Sequence, residues 1–383
     1  MGNVNRCNSI EELHRLAKKS IPGVIYDYIE GGAEDEITMA RNRASFLDYE
    51  FVPRVLKNVK NIDLTTTMLG KKYTMPLFLA PTGMSRLFHY KGETAVTHAA
   101  KNAGIPYALS TVGTVSIEDI AKITGGSNFF QIYVWQNRDL VYDFIERCKK
   151  TGYNGIILAA DCATLGKRER DLRNGHGRPL EMTIKTALSG FTNLRWVFRY
   201  ITSKKILMAS MVDHLPHGGD AQKTIDRVNE QFDASVTWED ARKIRDAWDG
   251  PFLLKGIQCI EDCRKALEIG ATGIVLSNHG GRQLDGAPPA FELLPEAVSA
   301  VGKKLEVYID GGIRRGSDVI KAMALGAKGC MIGRPYLYGL AAGGEKGVAR
   351  SINILQEEMV RVMQLIGCDA IHKLDASYVK RIR

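Results

Sequence analysis

From Met75 onward the chain alternates between short apolar runs and amphipathic stretches. The runs are PLFLAP (76–81), YALST (107–111), FFQIYV (129–134), GIILAAD (155–161), PFLLKG (251–256), GIVLSN (273–278), EVYID (306–310) and GCMIG (329–333). Each is short and rich in β-branched or aromatic residues, which predicts a strand buried on both faces. Most gaps between them hold one helical pattern, such as ETAVTHAAKNAG, SIEDIAKIT, LVYDFIERCKKTG, EDCRKALEIG and SDVIKAMALG. Strand and helix alternating eight times predict an α/β fold, a TIM (β/α)8 barrel of parallel strands. A doubly wound sheet is the competing architecture, but no GxGxxG follows any strand.

The chain, 1–383, reads as a single domain, with a lead-in over 1–74, the barrel over 75–340 and C-terminal helices over 341–383. In the lead-in, Ser9 to Glu12 is a capping-box pattern that opens a helix through about Lys19. Pro22 starts a second helix, PGVIYDYIE, which carries Tyr26 and Tyr28 and which Gly31 and Gly32 stop. The rhythm breaks between Asp161 and Trp238, too long a gap for one helix and a loop. An excursion over 162–237 therefore follows the fourth strand. Its centre, 183–212, mixes Lys185, Arg195, Arg199, Lys204 and Lys205 with Phe191, Trp196, Phe198 and Tyr200, and holds no acid. That composition fits a segment lying in a membrane interface. A lid or oligomer contact resting on protein fits it equally well at this point.

Composition narrows the picture further. With 45% hydrophobic and 25% charged residues, disorder is not the expectation. The net charge of +9 suits an anionic substrate, cofactor or membrane surface. Lys and Arg are spread along the chain with no nucleic-acid motif, so no nucleic-acid partner is expected. Seven scattered cysteines, without CxxC spacing, predict reduced thiols and no metal site. No stretch reads as a signal peptide, and no apolar run approaches the roughly 20 residues that span a bilayer.

The chemistry collects where the predicted strands end, the side on which such barrels build active sites. Those ends read Ala80-Pro81-Thr82-Gly83, Ser110-Thr111, Gln131 with Tyr133, Asp161, Lys255, Ser277 to Arg282, Asp310-Gly311-Gly312 and Gly333-Arg334. His279 is a base that titrates near neutrality, and Arg282 a fixed cation suited to a carboxylate. The pair suits removal of a proton from an acid-bearing substrate, helped by the Asn278, Gln283 and Asp285 packed around it. Asp161 is placed to orient His279 and stabilise its imidazolium, with Arg168 a few residues beyond. Lys255, in an apolar run, must lose its charge or face an anion, through an imine or by stabilising a delocalised anion. DGGIRRG (310–316) and IGRP (332–335) follow strands seven and eight, where glycine amides with Arg314 and Arg334 predict a phosphate site.

SNHGGRQLDG, with LLKG upstream and DGGIRRGSDVIKAMALGA and IGRP downstream, closely resembles the FMN-dependent α-hydroxy acid oxidising family. The resemblance runs from YDYIEGGAEDE to the last helix and leans towards its mandelate and lactate dehydrogenases. It implies FMN as cofactor and oxidation of an (S)-2-hydroxy acid to the 2-oxo acid. It implies His279 as base with Asp161 beside it, and Arg282, Arg168 and Tyr26 on the substrate carboxylate. Tyr133 is expected on the substrate hydroxyl, and Lys255 at the flavin N1–O2 edge. Ser110 and Gln131 are expected at the pyrimidine side, the Ala80, Pro81, Thr82 and Gly83 backbone on one ring face, and Ser277 and Asp310 also beside the cofactor. Gly311, Gly312, Arg314, Gly333 and Arg334 are expected at the ribityl phosphate.

Three positions distinguish this chain within the resemblance. Gly83 stands where oxygen-using relatives usually carry alanine, which leans towards a quinone or other non-oxygen carrier as acceptor; an oxidase releasing hydrogen peroxide is the alternative. Val112 replaces a bulky tryptophan of glycolate oxidase and implies more room, while Ala159 replaces a common threonine near the flavin. The resemblance also implies a homotetramer. Through the excursion it implies peripheral attachment at the cytoplasmic face of the inner membrane.

Overall fold

A computed structural model describes residues 3–174, 193–214 and 232–382. Three short strands, β1 (Tyr49–Phe51), β2 (Thr66–Met68) and β3 (Lys71–Tyr73), precede the barrel. The barrel strands are β4 (Leu77–Leu79), β5 (Ala108–Ser110), β6 (Phe129–Tyr133), β7 (Gly155–Ala159), β8 (Phe252–Ile257), β9 (Gly273–Leu276), β10 (Glu306–Ile309) and β11 (Gly329–Ile332); β12 (Val379–Arg381) ends the chain. Every neighbour in the order β4-β11-β10-β9-β8-β7-β6-β5 is parallel. A parallel bridge between Leu79 and Tyr107 closes the ring. The expected (β/α)8 barrel is the fold.

The interior filling fixes where the chemistry sits. Phe78, Ala108, Phe129, Ile157, Leu253, Val275, Tyr308 and Met331, one from each strand, form a fully buried layer inside the barrel. Burying each of the larger side chains contributes about 1.5–3 kcal/mol. Side chains alternate along a strand, so the residue two positions on points inward again, one layer nearer the carboxyl end. Those residues are Ala80, Ser110, Gln131, Ala159, Lys255, Ser277, Asp310 and Gly333. Apolar packing thus gives way to polar and small groups in a single step. At the amino end, the β2–β3 hairpin inserts Met68 into the same apolar layer, and Leu69 N–H donates to Glu306 Oε2 at 2.9 Å.

The lead-in buttresses the mouth of the barrel. Its helices are Ile10–Ser20, capped by Ser9, then Gly23–Glu30 and Ile37–Ala44. Asp285 caps the third helix, accepting from Ile37 N (3.2 Å) and Thr38 N (2.7 Å). Asn42 and Asn278 exchange two amide hydrogen bonds, both 2.8 Å, in a buried pair. Asn278 and Asp285 therefore hold the loop after β9 in place. At the far end β1 pairs antiparallel with β12, behind the long helix Glu345–Ile366.

Two described pieces of the excursion behave differently. Ile206, Met208 and Met211 are buried, and Ala209 N–H donates to Gly113 O at 3.1 Å, so this piece rests on the barrel. The helix Leu194–Thr202 buries no residue and exposes Leu194, Phe198 and Ile201, spaced four and three apart along one face. Lys185 and Phe191 lie outside the described residues. Among the described residues no helix is long and apolar enough to cross a membrane.

Candidate active site

A cavity of about 570 Å³ opens at the carboxyl ends of the strands. Ala80, Lys255, Asp310 and Gly333 of the polar layer line it, together with His279 and the loops Gly311–Arg314 and Gly333–Arg334 above the layer. Leu87, Phe88, Val112, Leu165, Met208 and Phe232 add apolar wall.

His279 sits at the centre in a left-handed backbone conformation, φ 59°, which costs a non-glycine residue on the order of 1 kcal/mol. Its N–H donates to Ser277 Oγ at 3.0 Å, and its Nδ1 lies 3.2 and 3.1 Å from the two Asp161 oxygens. Gly280 and Gly281 follow with φ of 65° and 75°. A Cβ on Gly281 would lie 2.7 Å from Met39 N, so glycine there lets the lead-in press against the histidine loop.

The charges around this histidine are arranged in opposition. Burial pulls the His279 pKa below its ordinary value; Asp161 pulls it up, and Lys255 and Arg168 push it down again. Burial alone would raise the Asp161 carboxyl, but His279 and Lys255 hold it at about 2. At neutral pH the pair is thus a neutral imidazole braced by a carboxylate, ready to accept a proton.

Lys255 is 4% exposed. Its Nζ lies 3.0 Å from Asp310 Oδ2 and donates to Ser277 Oγ at 2.9 Å. Burial would discharge it, but Asp310 and Asp161 more than offset this and raise its pKa. A lysine held charged is a poor imine former, so the second of its two expected uses, facing an anion, is the one that fits. Ser277 links lysine to histidine but does not line the cavity.

Three guanidinium groups, Arg282, Arg168 and Arg334, come together beside the histidine loop. Arg282 Nη1 donates to Tyr28 O (2.9 Å) and Gly31 O (2.7 Å) and lies over the Tyr28 ring. Burial and then the neighbouring Arg168 and Arg334 lower its pKa. A cluster of half-buried cations, in which Arg168 and Arg334 act against Arg282, is a demand for an anion. Arg168 is steadied by Arg282 O and Gln283 Oε1, both at 3.3 Å. Arg334 lines the cavity, but its three nitrogens donate to Ile29, Gly280 and Gly31 carbonyls at 2.8–3.0 Å, tying the second helix to the histidine loop.

Tyr26 does not belong to this group. It is buried against His14, with its hydroxyl on His14 Nε2, and lines no part of the cavity. Tyr28 does, stacked on Phe88 beneath Arg282. The two tyrosines are two residues apart on one helix, about 200° around its axis, and only one can face the barrel. Sequence reading also missed Phe232 and Met208, two apolar residues of the excursion. Phe232 packs edge-on against Tyr133, whose ring lies 6.5 Å from that of His279.

The residues present fit FMN. Gln131 Nε2 and Asp310 Oδ1 are buried polar atoms without a partner among the described residues, as a cofactor with hydrogen-bonding ring edges requires. Ser110 Oγ is 2.8 Å from Gln131 Oε1, fixing that amide. Gly311 and Gly312 have φ of 85° and 82°, and a Cβ on Gly312 would lie 1.9 Å from Asn42 O. Only glycines form that loop, and Arg314 beside it supplies positive charge for a phosphate.

The sequence profile of the FMN-dependent dehydrogenase family matches residues 17–381. The chain belongs to that family. It is an FMN-dependent oxidoreductase. Among its relatives, the (S)-mandelate dehydrogenase of Pseudomonas putida is 39% identical, over 97% of this chain and 93% of its own length. The glycolate oxidase of Spinacia oleracea is 38% identical, over 97% and 95%. A solved structure titled monotopic membrane protein (S)-mandelate dehydrogenase superposes with a TM-score of 0.95 at 38% identity, covering 98% of this chain and 100% of that one. The family member therefore shares with these relatives both the barrel and nearly its whole length.

Proposed function

We propose that this FMN-dependent oxidoreductase converts an (S)-2-hydroxy acid with an apolar side chain to the 2-oxo acid, and that its electrons leave for a membrane quinone. The observation that carries the reading is His279, braced by the buried carboxylate of Asp161, lining one cavity with Arg282 and Arg168. Arg282 and Arg168 bind the carboxylate, and Tyr28 takes the place expected for Tyr26. Oxidation removes two hydrogens from the substrate: His279 takes one as a proton, the other leaves with the electron pair, and Asp161 stabilises the imidazolium that results. Tyr133, whose pKa burial raises far above its ordinary value, stays a phenol and donates to the substrate hydroxyl. Bound FMN supplies the two-electron sink. Ser110, Gln131, Lys255 and Asp310 are proposed to hold its ring, the Ala80–Gly83 strand end to line it, and Gly311, Gly312, Arg314, Gly333 and Arg334 to hold its phosphate end.

The wall of Val112, Leu165, Met208 and Phe232 supports a substrate of mandelate size over one of lactate size. Gly83 at the strand end, and the apolar face of the helix Leu194–Thr202, support a quinone acceptor and peripheral attachment at the cytoplasmic face of the inner membrane. Exposed Leu47, Val55 and Leu56 support assembly as a homotetramer, which sedimentation analysis reads directly. Stopped-flow reoxidation of the substrate-reduced enzyme by a quinone analogue and by air separates the two acceptors. Quinone faster than air supports the dehydrogenase reading; rapid reoxidation by air, with peroxide released, replaces it by an oxidase.

A further inference from the structure

Behind the wall of the active-site cavity lies a second cavity of about 480 Å³, which shares only Phe88 with the first. It opens between the carboxyl end of the first helix, the Arg86–Tyr90 loop and the helix Leu194–Thr202. Lys19, Arg86, Arg195 and Arg199 line it, and among the described residues no carboxylate does. Arg86 and Arg199 are set in place. Arg86 donates to the carbonyls of Lys204, Lys205 and Tyr90, and Arg199 lies 4.9 Å from the centre of the Tyr90 ring. His89, also in the lining, is driven down to about 4 by burial and by Arg199, Lys91 and Arg195, so the cavity is positive before any ligand enters.

The helix that forms one wall is held to the body by Trp196, whose indole donates to Leu87 O at 2.8 Å. Leu194, Phe198 and Ile201 on it are 66%, 67% and 74% exposed. An apolar row that suits acyl chains thus borders a cavity that demands an anion, and one molecule carries both features. We infer that this cavity seats the phosphate headgroup of an anionic lipid while Leu194, Phe198 and Ile201 enter the bilayer surface. The inference rests on the peripheral-membrane reading above and adds to it a discrete site with a lipid preference.

The test uses the FMN-loaded enzyme and sedimentation with vesicles of phosphatidylcholine alone or mixed with phosphatidylglycerol. Wild type sediments with the mixed vesicles and at least tenfold less with the neutral ones. Arg195→Ala with Arg199→Ala weakens binding to the mixed vesicles roughly thirtyfold, from two basic residues at about 1 kcal/mol each. Lys204→Ala with Lys205→Ala, an equal charge loss outside the cavity lining, weakens it clearly less. Both variants keep bound FMN and wild-type oxidation of a soluble 2-hydroxy acid, which separates loss of docking from loss of fold. Equal losses in the two variants reduce the site to diffuse charge and overturn the inference. So does equal binding of wild type to neutral vesicles, or full competition by millimolar inorganic phosphate that leaves the lipid dispensable. No sedimentation with any vesicle overturns the membrane reading itself, while oxidation of the hydroxy acid still stands on its own measurement.

Discussion

Asp161 places both carboxylate oxygens within 3.2 Å of His279 Nδ1, and its side chain is only 2% exposed. The carboxylate is therefore placed to orient the histidine and later neutralise it, and it also faces Lys255. In Asp161→Asn the one group that raises the His279 pKa most is gone, while burial, Lys255 and Arg168 still lower it. The acid limb of the kcat/KM profile, where His279 becomes protonated and stops acting as a base, moves to lower pH. The rate at neutral pH falls by roughly 10²–10⁴-fold, the range for losing general-base assistance. A pH profile with an unmoved acid limb contradicts the pairing.

Lys255 is the buried cation of the polar layer, and Asp310 keeps it charged. Lys255→Met leaves Asp310 and Asp161 without their nearby positive charge, a loss of several kcal/mol for a broken buried pair. The expected outcome is weaker FMN retention, a more negative midpoint potential and a roughly 10²-fold slower reductive half-reaction. Spectroelectrochemical titration reads the potential. A value equal to wild type removes Lys255 from the neighbourhood of the ring.

Gly83 and Val112 pack directly against each other in the cavity wall. A Cβ at position 83 would lie 2.5 Å from Val112 Cγ2, the end of a side chain that must shift to admit it. Gly83→Ala is expected to raise KM for a mandelate-sized substrate by about tenfold and for lactate by less, since the lost space is worth on the order of 1–2 kcal/mol. Adding Val112→Ala restores the larger substrate. Steady-state kinetics on both acids reads the contrast, and equal effects on both substrates argue that this wall does not meet the side chain.

Gly312 is the tightest point of the proposed phosphate loop. With φ of 82° and Asn42 O in the path of any side chain, Gly312→Ala combines backbone strain with a clash against backbone that cannot swing away. The strain alone costs about 1–3 kcal/mol. Thermal unfolding should show a midpoint several degrees lower, with FMN lost on gel filtration. Unchanged FMN retention separates this loop from the cofactor.

Much of the architecture was readable because parallel strands buried on both faces leave continuous apolar runs, and each run here also carries the group the barrel turns inward in the next layer. The period of two that puts Phe129 in the core also puts Gln131 in the next layer; the same step leads from Leu253 to Lys255 and from Tyr308 to Asp310. What could not be read is pairing across distance. Nothing local in Asp285 announces that it caps a helix at Ile37, 248 residues away, or in Asn278 that it pairs with Asn42. Tyr26 and Tyr28 look alike on a helix whose buried face depends on its neighbours. Phe232 and Met208 come from an excursion with no periodic pattern, so only the folded chain reveals that they wall the cavity.

The central claim is that His279 removes the substrate proton during oxidation by bound FMN. Anaerobic stopped-flow mixing of the FMN-loaded enzyme and its His279→Gln variant with (S)-mandelate follows the loss of flavin absorbance directly. The expected result is rapid bleaching of the wild type, and a variant that keeps its FMN but bleaches slower by roughly 10²–10⁴-fold or more. A variant that bleaches at the wild-type rate contradicts the account.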